Sequence, residues 1–139
     1  MDKGLLQIDD AKERNNLEEF ANLTYLFDFW LQAIEQGKTV ASFFKDRQYL
    51  KIGIYGMGIL GRHLKTQLEG NGNEISYIID KDTIYYEDMT YDLHTNMDKL
   101  QTADIIVVTP IMEYKEIKEK LKKHISIKIV SIEEVILSI

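Results

Sequence analysis

Apolar residues follow two different rhythms along this chain. In the first third, Phe20, Leu23, Phe27, Trp30 and Ile34 recur at alternating spacings of three and four, the period of an amphipathic helix. The pattern predicts one long helix from Glu13 to Gln36, closed by Gly37 at the C′ position. Tyr25, Leu26, Phe29 and Ala33 widen the apolar stripe well beyond one face. A helix of that kind is expected to touch protein on two sides, its own domain and a second subunit; a homodimer through the N-terminal helix is the expected assembly. Met1–Lys12 carries no periodicity and reads as a loose N-terminus, and Thr39–Tyr49 reads as a short helix leading onward. Residues 13–49 therefore form a helical arm ahead of residues 50–139.

From Lys51 the rhythm changes. Ile52, Ile54 and Tyr55 form a short strand, and Gly58–Glu69 reads as a helix with Leu60, Leu64 and Leu68 on one face. Asn71-Gly72-Asn73 is a turn, and EISYII (Glu74–Ile79) is a second strand ending at Asp80. Lys81–Leu100 is polar, rich in tyrosine and weakly patterned, with a short strand suggested near Thr90–Leu93. DIIVV (Asp104–Val108) is a buried-type strand; Thr109-Pro110 follows it, then a helix over Ile111–Lys123 and a last strand over Ile125–Val130. Ser131 caps a terminal helix, with Glu134 at the capping-box position. Strands alternating with helices imply an α/β domain of the Rossmann-like, three-layer kind, its short parallel sheet of four or five strands joined by right-handed crossovers.

The first strand runs into Gly56-Met57-Gly58-Ile59-Leu60-Gly61, a G-x-G-x-x-G turn that opens a helix. In such a turn Gly56 permits the sharp exit from the strand, Gly58 lets backbone approach a pyrophosphate, and Gly61 lets helix and strand lie close. The phosphate would sit at the helix N-terminus, against free N–H groups and the positive end of the dipole. Asp80 lies 19 residues beyond Gly61 at the end of the second strand, where a carboxylate can accept hydrogen bonds from a ribose diol. That acid favours a free 2′-hydroxyl over a 2′-phosphate. Thr109, at the carboxyl end of the DIIVV strand, falls on the edge where open parallel sheets bind ligands. The candidate ligand contacts are thus Gly56, Met57, Gly58, Ile59, Leu60, Gly61, Asp80 and Thr109, and the ligand is NAD or a nucleotide-sugar.

Other chemistry is thinly represented. With no cysteine, disulfides, thiolate metal sites and cysteine nucleophiles are excluded. His63, His94 and His124 lack metal-ligand spacing. Tyr114 and Lys118 stand at Y-x-x-x-K spacing, but on the apolar face of their helix, which makes Tyr114 a packing residue. Gly37-Lys38-Thr39 is no P-loop, for the upstream glycine and strand are missing. A net charge of −6 argues against nucleic acid as a partner. No apolar run approaches the roughly 20 residues of a membrane span, and no leader pattern opens the chain; a cytoplasmic location is expected.

The run IYGMGILGRHL followed by ISYIIDKD, DIIVVTP and KIVSIEEVI resembles a family of small Rossmann-like domains associated with bacterial surface-polysaccharide synthesis. Its members are labelled nucleoside-diphosphate-sugar epimerase-like, and occur alone or fused to glycosyltransferases or sugar O-acyltransferases. The resemblance spans about Lys51–Ile136 and implies nucleotide-site roles for Gly56, Gly58, Gly61 and Asp80, with a polysaccharide-synthesis enzyme as a partner. Three departures are visible: Met57 replaces a small residue, no hexapeptide-repeat domain follows, and the second half of a full dehydrogenase or epimerase is absent. They direct the expectation toward binding without catalysis by this chain alone. The alternatives are a ligand-free dimerising adaptor and a minimal epimerase or dehydrogenase.

Overall fold

In the computed structural model, which describes residues 3–139, the apolar runs become strands β1 (Lys51–Tyr55), β2 (Glu74–Asp80), β3 (Thr83–Tyr86), β4 (Met89–Asp92), β5 (Ile105–Val108) and β6 (Lys128–Ser131). Helices α1 (Lys3–Glu35), α2 (Ala41–Asp46), α3 (Ile59–Gly70), α4 (Tyr114–Lys122) and α5 (Ile132–Leu137) accompany them. The strands form one sheet in the order β4-β3-β2-β1-β5-β6. β2, β1, β5 and β6 run parallel, while β3 and β4 add an antiparallel hairpin at the β2 edge. This mostly parallel α/β sheet is compatible with the three-layer domain expected. Among the described residues, no helix is long and apolar enough to cross a membrane.

Period-two alternation assigns the two faces. Ile52 and Ile54 of β1, with Ile105 and Val107 of β5, pack on one side with Leu26 and Trp30 of α1, Phe43 and Phe44 of α2, Leu60, Leu64 and Leu68 of α3, and Val135 of α5. Ile106 and Val108 point the other way, joining Tyr77, Ile79, Ile84, Leu93, Leu100 and Leu121 of α4. Parallel strands covered on both faces must be apolar throughout, and all four residues of β5 are buried.

Several boundaries differ from expectation for local reasons. Of the segment 1–12 expected to be a loose start, Met1 and Asp2 lie outside the described residues, and α1 begins at Lys3. Residues 11–20 are wholly exposed, so burial imposes no periodicity there; extending an existing helix through leucine, alanine, lysine and glutamate costs little. α1 ends as expected at Gly37, whose N–H donates to Ile34 O at 2.9 Å while Lys38 N–H donates to Ala33 O at 2.9 Å. The sheet has six strands rather than four or five, because Lys81–Leu100 folds into the β3–β4 hairpin followed by short 3-10 turns at Leu93–Thr95 and Met97–Thr102. Asp104 precedes β5 instead of joining it; its Oδ2 accepts from the N–H groups of Leu50 and Lys51, each at 2.8 Å, and ties β5 to the start of β1. α4 starts only at Tyr114. The last strand lies at Lys128–Ser131, and the Ser131 hydroxyl accepts from Glu133 N–H, at 3.2 Å, rather than from Glu134.

One contact in the sheet has no counterpart in the pattern of apolar positions. β2 slips by one residue against β1, so that Ile75 faces Ile52 and Tyr77 faces Gly53, leaving Ser76 as the extra residue of a bulge. The Tyr77 ring then closes on Gly53: a Cβ at Gly53 would stand 2.5 Å from Tyr77 Cζ and 2.8 Å from its hydroxyl oxygen. The Tyr77 hydroxyl donates to Leu100 O at 2.8 Å, a buried bond that fixes the ring and the turn before β5. Gly53→Ala must displace a ring held at both ends, and is expected to cost about 1–3 kcal/mol in urea denaturation. Burial also holds the Tyr77 hydroxyl above the ordinary value of 10.0. The unfolded chain therefore ionises first; this contribution is fully present below pH 10 and falls away as pH rises beyond it. Tyr77→Phe should lower the melting temperature at neutral pH and reduce its decline with alkalinity.

Candidate functional site

From β1 the chain crosses to β2 on one side; from the hairpin it returns past β1 to β5 on the other. The direction of winding reverses between β1 and β5, the position at whose carboxyl edge open α/β sheets bind ligands. Gly56 and Thr109 are the first residues beyond these two strands. The Gly56 N–H donates to Ile79 O of β2 at 2.7 Å, and the Thr109 N–H donates to Tyr55 O at 2.9 Å. The Thr109 hydroxyl donates to Gly56 O at 2.8 Å, with Tyr55 O also within reach at 3.1 Å. Thr109 is buried, and its oxygen is committed to the backbone of the glycine turn rather than turned outward.

The three glycines separate on contact. Gly56 has φ +99°, a conformation that a side chain opposes, and a Cβ there would stand 2.6 Å from Thr109 Oγ1 and 2.8 Å from Pro110 Cδ. At Gly61 a Cβ would run into the carbonyl oxygen of Gly56, because the first turn of α3 rests on the loop. Gly58 differs: its φ is −72°, and a Cβ would meet nothing within 4 Å. Gly58 is the N-cap of α3 and offers no side-chain oxygen to it, so the first-turn amides of α3 gain no cap from that position.

Asp80 does meet the turn. Its Oδ1 faces the Met57 N–H at 3.5 Å, bringing the acid at the end of β2 to the glycine loop. The Met57 side chain is partly buried against the core, its sulfur 3.4 Å from where a Gly61 Cβ would stand. Leu60 is buried in the core and Ile59 exposed. Beside the turn lies a cavity of about 230 Å³ bounded by Leu23 and Phe27 of α1, Gly58, Ile59 and Leu60, Thr109, Pro110 and Ile111. Glu19 and Glu113 complete its lining, which among the described residues holds no lysine or arginine. A phosphate there would rely on backbone amides and the helix dipole alone, against two carboxylates.

A second polar group, invisible to motif reading, stands on the opposite face of the same edge. Asp82 lies 3.7 Å from Lys120 Nζ of α4 and 3.6 Å from His94 Nε2. Tyr55, the last residue of β1, packs on that face; burial raises its hydroxyl pKa, and Asp82 raises it further. The group is assembled from a hairpin turn, a 3-10 turn and a helix, so no spacing announces it. The Y-x-x-x-K pattern resolves as packing: the Tyr114 hydroxyl donates to Ile129 O at 3.4 Å, and Lys118 Nζ sits 5.7 Å over the Tyr114 ring. Among the described residues no group of three or more histidine, aspartate or glutamate side chains could hold a metal ion.

No protein-family model, curated protein or solved structure matches this chain.

The contacts predict an order of tolerance within the turn. Gly61→Ala and Gly56→Ala each force backbone or a fixed side chain aside and should lower stability by roughly 1–3 kcal/mol or more. Gly58→Ala should stay within about 0.5 kcal/mol of the parent. Thermal melts of the three variants, with no ligand added, check the order.

Proposed function

We propose that this chain is a Rossmann-like nucleotide-binding domain, taking NAD(H) or a nucleotide-sugar at the carboxyl edge between β1 and β5 without turnover of its own. The observation that carries this reading is Gly58. Gly56 and Gly61 are accounted for by contacts within the chain, whereas Gly58 has a negative φ and open space where its Cβ would stand. A glycine that the fold does not need, at the position where a pyrophosphate would touch backbone, fits a binding role. The amides of Ile59, Leu60 and Gly61 would face the phosphates at the positive end of α3. Asp80, already turned to the loop at Met57 N–H, would accept from the ribose diol. Met57 fits this scheme because its side chain folds back on α3, leaving its backbone for the ligand. The setting that the resemblance implies is polysaccharide synthesis, beside an enzyme that performs the chemistry.

The ligand-free adaptor is favoured by a different observation: Leu23 and Phe27 of α1 lie along the cavity, and Glu19 and Glu113 place negative charge at its rim. On that reading the glycines serve only the turn. The minimal epimerase or dehydrogenase is disfavoured because Tyr114 is engaged with Ile129 O and its own helix face.

A thermal-shift screen against NAD, NADP, coenzyme A and UDP- and CMP-sugars separates the readings. Ligand at about 100 times its dissociation constant adds roughly 2.7 kcal/mol, a rise of a few degrees in melting temperature. The expected result is a selective rise with NAD or a nucleotide-sugar that Gly58→Ala and Asp80→Ala each abolish. No rise with any ligand, in folded protein, would overturn the proposal in favour of the adaptor.

A further inference from the structure

α1 buries Leu26, Trp30 and Ala33 in its own domain. A second line of residues on the helix, Leu17, Phe20, Thr24, Phe27, Leu31 and Ile34, keeps alternating spacings of three and four over its whole length. That spacing is the seam of a coiled coil. Leu17 is 65% exposed, Phe20 69%, Leu31 54% and Ile34 44%; Phe27 is partly buried against the core. The single polar member is already satisfied, for the Thr24 hydroxyl donates to Phe20 O at 2.8 Å. The seam can therefore enter an apolar contact without stranding a donor. A helix of 33 residues is about 50 Å long, and residues 11–20 are exposed throughout.

We propose that α1 pairs antiparallel with α1 of a second copy along this seam. The orientation follows from volume. A two-fold axis at the middle of the seam sets Leu17 against Ile34 of the second copy, Phe20 against Leu31, and Thr24 against Phe27. Every layer then joins two different side chains, and the small Thr24 lies against the exposed part of Phe27 rather than against a second Thr24. A parallel pair would set Thr24 on Thr24 between layers of paired phenylalanines, leaving a void beside two crowded layers. Complete burial of the exposed parts of the five large seam residues on both copies would remove at most roughly 1,000 Å² from water, the lower bound for a specific interface. This inference is carried by α1 alone and stands apart from the nucleotide reading.

The full chain is predicted to be a dimer by sedimentation equilibrium. Phe20→Glu with Leu31→Glu should make it a monomer with unchanged circular dichroism, since both side chains are solvent-exposed in the single chain. Tyr25→Glu, on the opposite flank and 71% exposed, should leave the dimer intact. Because the chain has no cysteine, cross-linking reads the orientation directly. Leu17→Cys combined with Ile34→Cys should give a covalent dimer on oxidation. Leu17→Cys alone should not, its two copies standing about 25 Å apart along the axis. A monomeric parent, a dimer that survives the double glutamate variant, or efficient cross-linking by Leu17→Cys alone would each overturn the proposal.

Discussion

The contact between the first turn of α3 and the loop leaving β1 sets the terms for the rest of this molecule. Gly61 lies so close to the Gly56 carbonyl that a methyl group cannot enter, and that same carbonyl receives the Thr109 hydroxyl from the end of β5. Three elements thus converge on one peptide group. The approach fixes how near α3 lies to the sheet, and so how Leu60, Leu64 and Leu68 fill the face they share with Ile52 and Ile54. It also aims the N-terminus of α3 at the carboxyl edge. The crevice is a by-product of this packing: an α/β sheet whose winding reverses must leave a gap where its loops part. Shape alone therefore says little about function. The informative residue is Gly58, which takes no part in the packing.

The elements legible in the sequence are those whose burial is regular. β1, α3, β2 and β5 alternate or repeat cleanly because each meets the core on known faces, and the strand-turn-helix around Gly56 is a local motif with its own residue requirements. The hairpin was hidden by its turns. Lys81 and Asp82, which turn β2 into β3, adopt positive φ, 48° and 60°, and so does Glu87 between β3 and β4, at 54°; none is glycine or asparagine, so the usual dipeptide signal of a two-residue turn is missing. β4 is largely exposed and alternates weakly, so it was legible only as the short strand suggested near Thr90–Leu93, and β3 was not foreseen. The Asp82, His94 and Lys120 group was hidden for a related reason, being assembled by the turn that could not be foreseen. Gly53 offered a cue: a glycine within a strand marks a bulge or a close approach, and here both occur, Tyr77 over Gly53 and Ser76 slipped out of register.

The charge around the crevice bears on what its glycine turn can hold. In a site built for polyphosphate, lysine or arginine commonly supplements the amides; here the cavity beside the turn carries Glu19 and Glu113 instead. The amides and dipole of a single helix end are worth on the order of 1 kcal/mol at an exposed site. Two carboxylates at that rim subtract from a term of that size. Binding would then depend on the remainder of the ligand, its ribose at Asp80 and its base on apolar surface, which favours a nucleoside-bearing molecule over a bare phosphate.

The arm and the glycine turn are not independent surfaces. Trp30 Nε1 donates to Gln67 Oε1 of α3 at 3.1 Å, and His63 of α3 meets the edges of Phe27 and Trp30 at 5.9 and 6.4 Å between ring centroids. α1 thus grips the helix whose N-terminus forms the turn. Phe27 takes part in two contacts, the core and the wall of the cavity beside Gly58, and it also falls on the line of residues proposed to pair with a second copy. A helix laid along that seam would press on Phe27 from the far side and fix the cavity wall with it. Coupling between two surfaces requires a shared element that both can bias, and Phe27 is the residue that the proposed pairing and the proposed ligand site have in common.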